Sequence, residues 1–341
     1  MAAGFKKPEA PGATLVPSTL TNFPLYVNLS RLGITTLAEA QSVRVYADEG
    51  KTVEWAREIV SVNEMHYLAP SQTATIIPYV DWDGVRADYA VGATYGRNAV
   101  WSDYQAVYHM NSTGASETDV TGNSEDLTFY GTLPDVVSGK LGDAQNFVRS
   151  SDDYMKKASS IIAYDDFTIQ TWVNVDSWFA GNRGVFLNQR LSNPIISLFY
   201  EGSLFFRVRQ ANTAGSLKQI NGGSLSLGTD YYLSATLDVS TGAMALYKNI
   251  TKGTATYTSG NFSGGGFEIG RDTLNIGYYD YIDGQFSETR IRQSVLSEDW
   301  ITTEYNNQNA ESTFWGTWTD AGGGGGGGAA QAARRGAVMM M

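Results

Sequence analysis

The residues with the greatest capacity for chemistry are few and poorly arranged for it. Two acidic pairs, Asp152-Asp153 and Asp165-Asp166, stand just before strand-like stretches. Neighbours in an extended chain point to opposite faces, so neither pair is disposed as acid and base across one substrate. Aspartate is also a favoured turn residue, and turn chemistry accounts for both pairs. Splitting a glycosidic bond takes two carboxylates about 5 to 10 Å apart, yet no Glu-x-Asp-x-Glu triplet lines up acids along one strand face. The chain has two histidines, His66 and His109, and neither has a Ser or Asp partner in sequence. A structural role is expected for both, and no catalytic residue is assigned.

Cysteine is absent, which removes disulfides and thiolate metal sites and fits folding in a reducing compartment. Asp119, Asn123, Asp152, Asp153 and Asp283 offer oxygens hard enough for calcium, but no dense Asp-x-Asp-x-Asp loop occurs. No cofactor is required, and calcium is an optional ligand. The run Gly264 to Gly266 has no following Lys-Ser or Lys-Thr and reads as a loop, not a phosphate cradle. For sugar binding, which uses an aromatic face ringed by polar groups, the candidates are Trp172, Trp178, Phe179, Asn182, Arg183, Tyr278, Tyr279 and Tyr281. Trp172 lies on the opposite strand parity from the apolar row. It is thus either a ligand platform or a packing residue against a loop, a helix or the first domain.

The frame that must position these residues is β-rich. In 341 residues there are 37 Gly, 20 Tyr and 8 Trp, with only 17% charged residues, the profile of a turn-rich all-β protein of about two domains. A formal charge of -11 excludes nucleic acid as an expected partner, because phosphate binding needs clustered Lys and Arg. No apolar run follows the basic N-terminal residues and none reaches the roughly 18 residues of a membrane span. Neither a secretory signal nor a membrane span is therefore expected.

Residues 1–20, with Pro8, Pro11 and Pro17, read as an extended N-terminal arm, and 21–103 as a small β domain. From 104 to 316, alternation is plain: Phe167, Ile169, Thr171, Val173 and Val175 oppose Thr168, Gln170, Trp172 and Asn174, a strand with one buried face. Ser297 caps one helix that runs to about Gln308 and is expected to cover an open sandwich edge. Residues 317–341 form a flexible Gly-rich tail, with seven glycines from Gly322 to Gly328. Its end, with Arg334, Arg335, Met339, Met340 and Met341, is either a docking peptide for assembly or a frayed terminus.

Several separated motifs occur in one order: Gln105 to Met110, Asp119 to Asn123, Gly139 to Phe147, Asp166 to Trp172, and the closing strand Tyr281 to Ile291. Together they resemble the concanavalin A-like, LamG-type jelly roll, departing from its usual pattern at Ser287. Phe23 to Leu29, Tyr95-Gly96 and Val100-Trp101 resemble a small β domain of unknown function common in bacterial and phage surface proteins. The resemblances imply an all-β chain: a small N-terminal β-sandwich-like domain, then a concanavalin A-like jelly-roll sandwich. The expected function is that of a non-enzymatic structural or surface protein of a tailed-phage virion, a head decoration, fibre or tail adhesin. It would be assembled in the host cytoplasm beside other virion proteins, with a host-surface glycan as ligand. A secreted or cell-surface carbohydrate-binding adhesin is the alternative, and a polysaccharide hydrolase a remoter one.

Overall fold

The structure, a computed structural model, describes residues 3–178, 183–190, 194–209, 217–258, 260, 262, 264–271 and 281–322. In the N-terminal module, Leu20–Asn28 pairs antiparallel with Glu64–Gln72, which pairs in turn with Arg57–Ile59. Directly opposed residues share a face. Phe23, Leu25 and Val27 therefore stand with Ala69, Tyr67 and Met65 on one side, in an apolar cluster with Val45, Trp55, Val80 and Trp82 of a five-stranded sheet. That sheet is ordered Thr319–Asp320, Gly4–Lys7, Tyr79–Trp82, Arg44–Tyr46, Glu54–Trp55. The other side of the three-stranded sheet presents Tyr26, His66 and Glu58.

Two expectations change here. The N-terminal segment is extended at Gly4–Lys7, but it is a paired strand between Tyr79–Trp82 and Thr319–Asp320, not a free arm. Local sequence signals an extended backbone, whereas its hydrogen-bond partner lies more than 300 residues away. Thr319–Asp320 likewise falls within the span assigned to the tail. The remainder of that tail, with Arg334, Arg335 and Met339 to Met341, lies outside the described residues.

The larger module is a sandwich. Its near sheet, toward the N-terminal module, runs Val136–Gly139, Gly142–Phe147, Asp283–Arg292, Phe167–Ser177, Asp230–Leu237, Ala243–Lys248, Thr251–Thr256, and Ala106–Tyr108 also pairs with Asp283–Arg292. The far sheet runs from Lys218–Gly223 to Ser116–Glu117. Phe167, Ile169, Val173, Leu233, Ala235, Leu237 and Ile291 point inward, joining Phe186, Leu198, Phe206 and Ile269 of the far sheet in one core.

The opposite parity of the near sheet is buried as well: Thr168, Gln170, Trp172, Tyr232, Glu288 and Arg290 are all inaccessible. The long strand thus has two buried faces instead of the one that alternation suggested. The cover is the N-terminal module together with the helix Glu298–Asn309, which lies on this face and not at a sandwich edge. Ser297 caps the helix, its Oγ accepting from Trp300 N at 3.2 Å. Leu296 and Ile301, flanking the first turn, are buried in the same apolar cluster, as a hydrophobic staple requires. Gly284 explains the Asp-Gly of the closing strand: at φ +150 it passes so close to its neighbour that a Cβ would stand 2.2 Å from the Asn174 carbonyl oxygen. No described helix is long and apolar enough to cross a membrane.

Candidate functional site

Cover over the near sheet thins toward its last strands: Ser234, Thr236, Ala245 and Tyr247 are still buried, whereas Ala243, Lys252, Thr254 and Thr256 are exposed. On Asp230–Leu237, Ala243–Lys248 and Thr251–Thr256, core-facing Leu237 and Met244 alternate with an outer row. Cross-strand pairing places Thr236, Ala245 and Thr254 in one outer file, with Ser234, Tyr247 and Lys252 in the next. Small side chains keep this surface low, while the segment Val295 to Glu298 at the helix start rises beside it. The result is a groove of about 650 Å³ lined by Thr236, Asp238, Ala243, Ala245, Tyr247, Lys252, Thr254, Thr256 and Val295 to Glu298. Its volume suits a small ligand, and it mixes hydroxyls with apolar surface.

Its charges are spoken for. Asp238 accepts from Ser240 Oγ at 2.7 Å and Thr241 N at 3.0 Å, hydrogen bonds that bring its carboxyl down to about 2. Glu298 pairs with Lys252 at 2.9 Å, and the Lys252 ammonium lies 5.6 Å from the centre of the Tyr247 ring. This arrangement can hold a neutral, hydroxyl-rich molecule, and it presents no free acid and base to a bond.

Under the covered part of the same face lies a buried ionic network. His109 bonds Glu288 through Nδ1 at 2.8 Å and Glu58 through Nε2 at 2.9 Å, and Trp101 Nε1 donates to Glu58 at 2.5 Å. Arg290 donates to Glu288 at 2.8 Å and to Glu304, and it lies 3.4 Å from His66 Nδ1. His66 Nε2 meets Glu64 Oε1 at 3.1 Å. Gly142, at φ +113, lets Glu64 in: a Cβ there would be 2.3 Å from Glu64 Oε2. Glu64, His66 and His109 bring ligand atoms within 4.8 Å of one another, but the geometry does not suit a metal. The two imidazoles are parallel within 10° at 5.3 Å, so their nitrogens run side by side instead of converging. His109 already spends both nitrogens on carboxylates, and the Arg290 guanidinium repels a second cation.

Burial alone would lower the His109 imidazole, but the Glu288 and Glu58 charges outweigh it and hold it well above the usual histidine range. Burial, then Arg290 and His109, push His66 well below that range. Glu64 is raised, chiefly by burial. Burial would raise Glu288 too, but His109 and Arg290 leave it lowered.

The sequence-derived candidates scatter. Trp172 is 1% exposed and donates to Gln308 Oε1 at 2.6 Å, with its ring over Tyr305. It is a packing residue against the helix and no platform for a ligand. Trp178 stacks on Tyr200 at 3.9 Å, and Arg183 pairs with Glu201 at 2.6 Å at the start of a strand. Tyr281 is buried, 6.3 Å from Tyr154 in ring centres, next to a pair in which Tyr130 stacks on Tyr154 at 4.3 Å. Phe179, Asn182, Tyr278 and Tyr279 lie outside the described residues.

The calcium candidates do not assemble into a site. Asp119 accepts from Val107 N, Thr121 N and Oγ1, and Glu125 N, while Asp153 accepts from Thr132 and Val148. Asp283 takes Ser177 Oγ and the Arg149 backbone. Asn123 Nδ2 donates to the Tyr104 and Gln105 carbonyls, and Asp152 sits at φ 58, closing a 3-10 turn. These are turn and strand-end duties, as the acidic pairs suggested. The groove residues escaped notice because Ala and Thr carry no chemical signature. The available signal was a parity of only small and polar residues in Ala243–Lys248 and Thr251–Thr256. For the network, the signal was charge at Glu288 and Arg290 inside an otherwise buried strand.

A comparison with curated proteins found no match. Among solved structures, one of botulinum neurotoxin type C, whose passage into cells depends on interaction with two ganglioside molecules, is 13% identical with a TM-score of 0.50. It covers 62% of this chain and 52% of its own. The binding domain of botulinum neurotoxin serotype D/C is 14% identical with a TM-score of 0.50, covering 61% and 52%. This chain spans about half the length of those structures, and at such identity they share its fold alone. Residues 149–302 match the family described as the concanavalin A-like lectin/glucanases superfamily, so the larger sandwich is a concanavalin A-like, LamG-type jelly roll.

Proposed function

We propose that the protein is a non-enzymatic attachment protein that holds a surface saccharide in the groove at the open end of the near sheet. The observation that carries this reading is the groove itself: about 650 Å³ of hydroxyls and small apolar groups where the exposed outer strand of that face meets the helix start. Its two carboxylates are engaged by Ser240, Thr241 and Lys252, which favours binding over hydrolysis. The ganglioside dependence of botulinum neurotoxin type C belongs to that toxin, and it makes glycans the first ligand class to test. The protein's place, in this reading, is a tailed-phage virion among other virion proteins. That part rests on the resemblance of both modules to those of phage and surface proteins.

A glycan array with the full chain, run with and without calcium, tests the binding. Selective binding that is lost on Thr254→Trp, which fills the groove, is the expected result. Silence in both conditions, or binding untouched by that substitution, overturns the assignment of the groove. Purified virions are expected to contain the chain at fixed stoichiometry, and its absence from them ends the virion reading.

A further inference from the structure

Four carboxylates, Glu58, Glu64, Glu288 and Glu304, are buried where the N-terminal module meets the near sheet, each with its side chain no more than 6% exposed. They come from separate elements: Glu58 from Arg57–Ile59, Glu64 from Glu64–Gln72, Glu288 from Asp283–Arg292 and Glu304 from the helix. The one fixed cation at the centre is Arg290, and Arg97 reaches Glu58 from the rim at 4.0 Å. Two arginines against four carboxylates leave two negative charges over. Leaving either unpaired in a low-dielectric interior costs several kcal/mol, about as much as a domain can spare.

The geometry provides for two protons. One belongs on His109, whose two nitrogens both point at carboxylates, Glu288 and Glu58, so that both must donate. The second belongs to the 3.1 Å contact between His66 and Glu64. It sits there once, not twice: the His66 ring is stacked on His109 and faces Arg290 through Nδ1, so a doubly protonated pair would crowd a third cation between two. The other polar groups around His66 are Tyr26, with its ring 5.7 Å away, and Trp101, with its ring at 5.3 Å; both are uncharged at neutral pH.

We propose that the contact between the two modules is a proton-coupled latch: closing it takes up two protons from neutral or alkaline solution, so the modules are locked together in mild acid and released as the pH rises.

The sign follows from counting. Well above pH 6.5, the ordinary histidine value, the separated modules carry almost no proton on His66, His109 or Glu64, whereas the closed junction carries two; at 6.5 itself the difference is about one. Stability therefore falls as pH rises, by about a hundredfold in the opening equilibrium per pH unit while both protons are retained. Between about 4.5 and 6.5 the open form holds two protons as well, one on each histidine, and the dependence flattens. Below that window Glu288, which is held ionised in the junction, must be protonated and the latch weakens again.

The full chain tests this directly, because it contains two histidines and hence two imidazole Hε1 signals in a selectively labelled NMR sample. The expected result is that His109 remains an imidazolium past pH 7.5. In parallel, amide exchange protection of Glu64–Gln72, corrected for intrinsic rates, falls from pH 6.5 to 8.5 with a slope that steepens from about one proton to about two. Glu64→Gln, which imitates the protonated carboxyl, reduces that slope to about tenfold per unit and raises protection at pH 8. Protection that is flat or rising from pH 6.5 to 8.5, or a His109 signal titrating near 6.5 in the folded chain, overturns the proposal. Should Glu64→Gln fail to fold, the wild-type slope and the two imidazole titrations decide the matter alone.

Discussion

The outer face of the near sheet holds two regions made by the same strand rules and put to opposite uses. Toward Asp283–Arg292 and Phe167–Ser177, the outward parity carries Glu288, Arg290, Gln170 and Trp172, all buried under the N-terminal module and the helix. Toward Ala243–Lys248 and Thr251–Thr256, the same parity carries Ala243, Thr254 and Thr256, all exposed, beside the helix start, with Ala245 and Tyr247 buried at its inner margin. The charged region is closed and the bland region is open. Polarity along a strand therefore does not report exposure. A charged file is tolerated inside when groups from several elements neutralise it, and a file of small residues remains outside when no element reaches it.

The widest gap between the two regions should appear on removing Arg290. Arg290→Met leaves Glu304 without a counter-ion and Glu288 with His109 alone in the closed region and is expected to cost about 3 to 5 kcal/mol by chemical denaturation. A loss under 1 kcal/mol would mean that the network is wet and the comparison false. Acid separates the regions next. Glu288 has a folded value below its ordinary 4.5, so its contribution is present above that value and lost as pH falls through the folded one. Glu288→Gln should thus flatten the acid limb of a stability profile from pH 4.5 downward, whereas Asp238→Asn, half-buried at the groove rim, should alter only the part of the limb below about pH 4, where its lowered carboxyl takes up a proton.

Smaller effects sharpen the boundary. Trp172→Phe removes the indole N–H that Gln308 accepts and should cost about 1 to 2 kcal/mol with glycan binding unchanged. Were binding lost instead, Trp172 would be a ligand group after all. Ser297→Ala uncaps the helix whose first turn walls the groove, for about 1 kcal/mol. At the open end, Thr254→Trp should change stability by no more than about 0.5 kcal/mol while abolishing ligand binding. A large loss of stability would show that the groove is a packing surface awaiting cover.

Much of the fold was legible because alternation is local. The inward row from Phe167 to Val175 and the cap at Ser297 needed nothing beyond their neighbours in sequence. The acidic turn residues were legible in part: Asp119 and Asp153 accept from Thr121 and Val148 close by, but also from Val107 and Thr132, 12 and 21 residues away. The site was not legible in that way. Trp172 was open to two readings, a platform or a packing residue, because its parity left the core, and only the helix that returns over it, with Gln308 and Tyr305, decides for packing.

By itself, then, the sequence determined the period-two elements and the helix with its cap, since each depends on residue types at short spacing. Tertiary structure alone decided that Gly4–Lys7 finds Thr319–Asp320, that His109 meets glutamates from two distant strands, and that the outermost strand of a single sheet stays exposed. Those outcomes depend on which distant surface arrives to exclude water, and the free energy of burying a charge or a hydroxyl is set by that arrival, not by the residue alone.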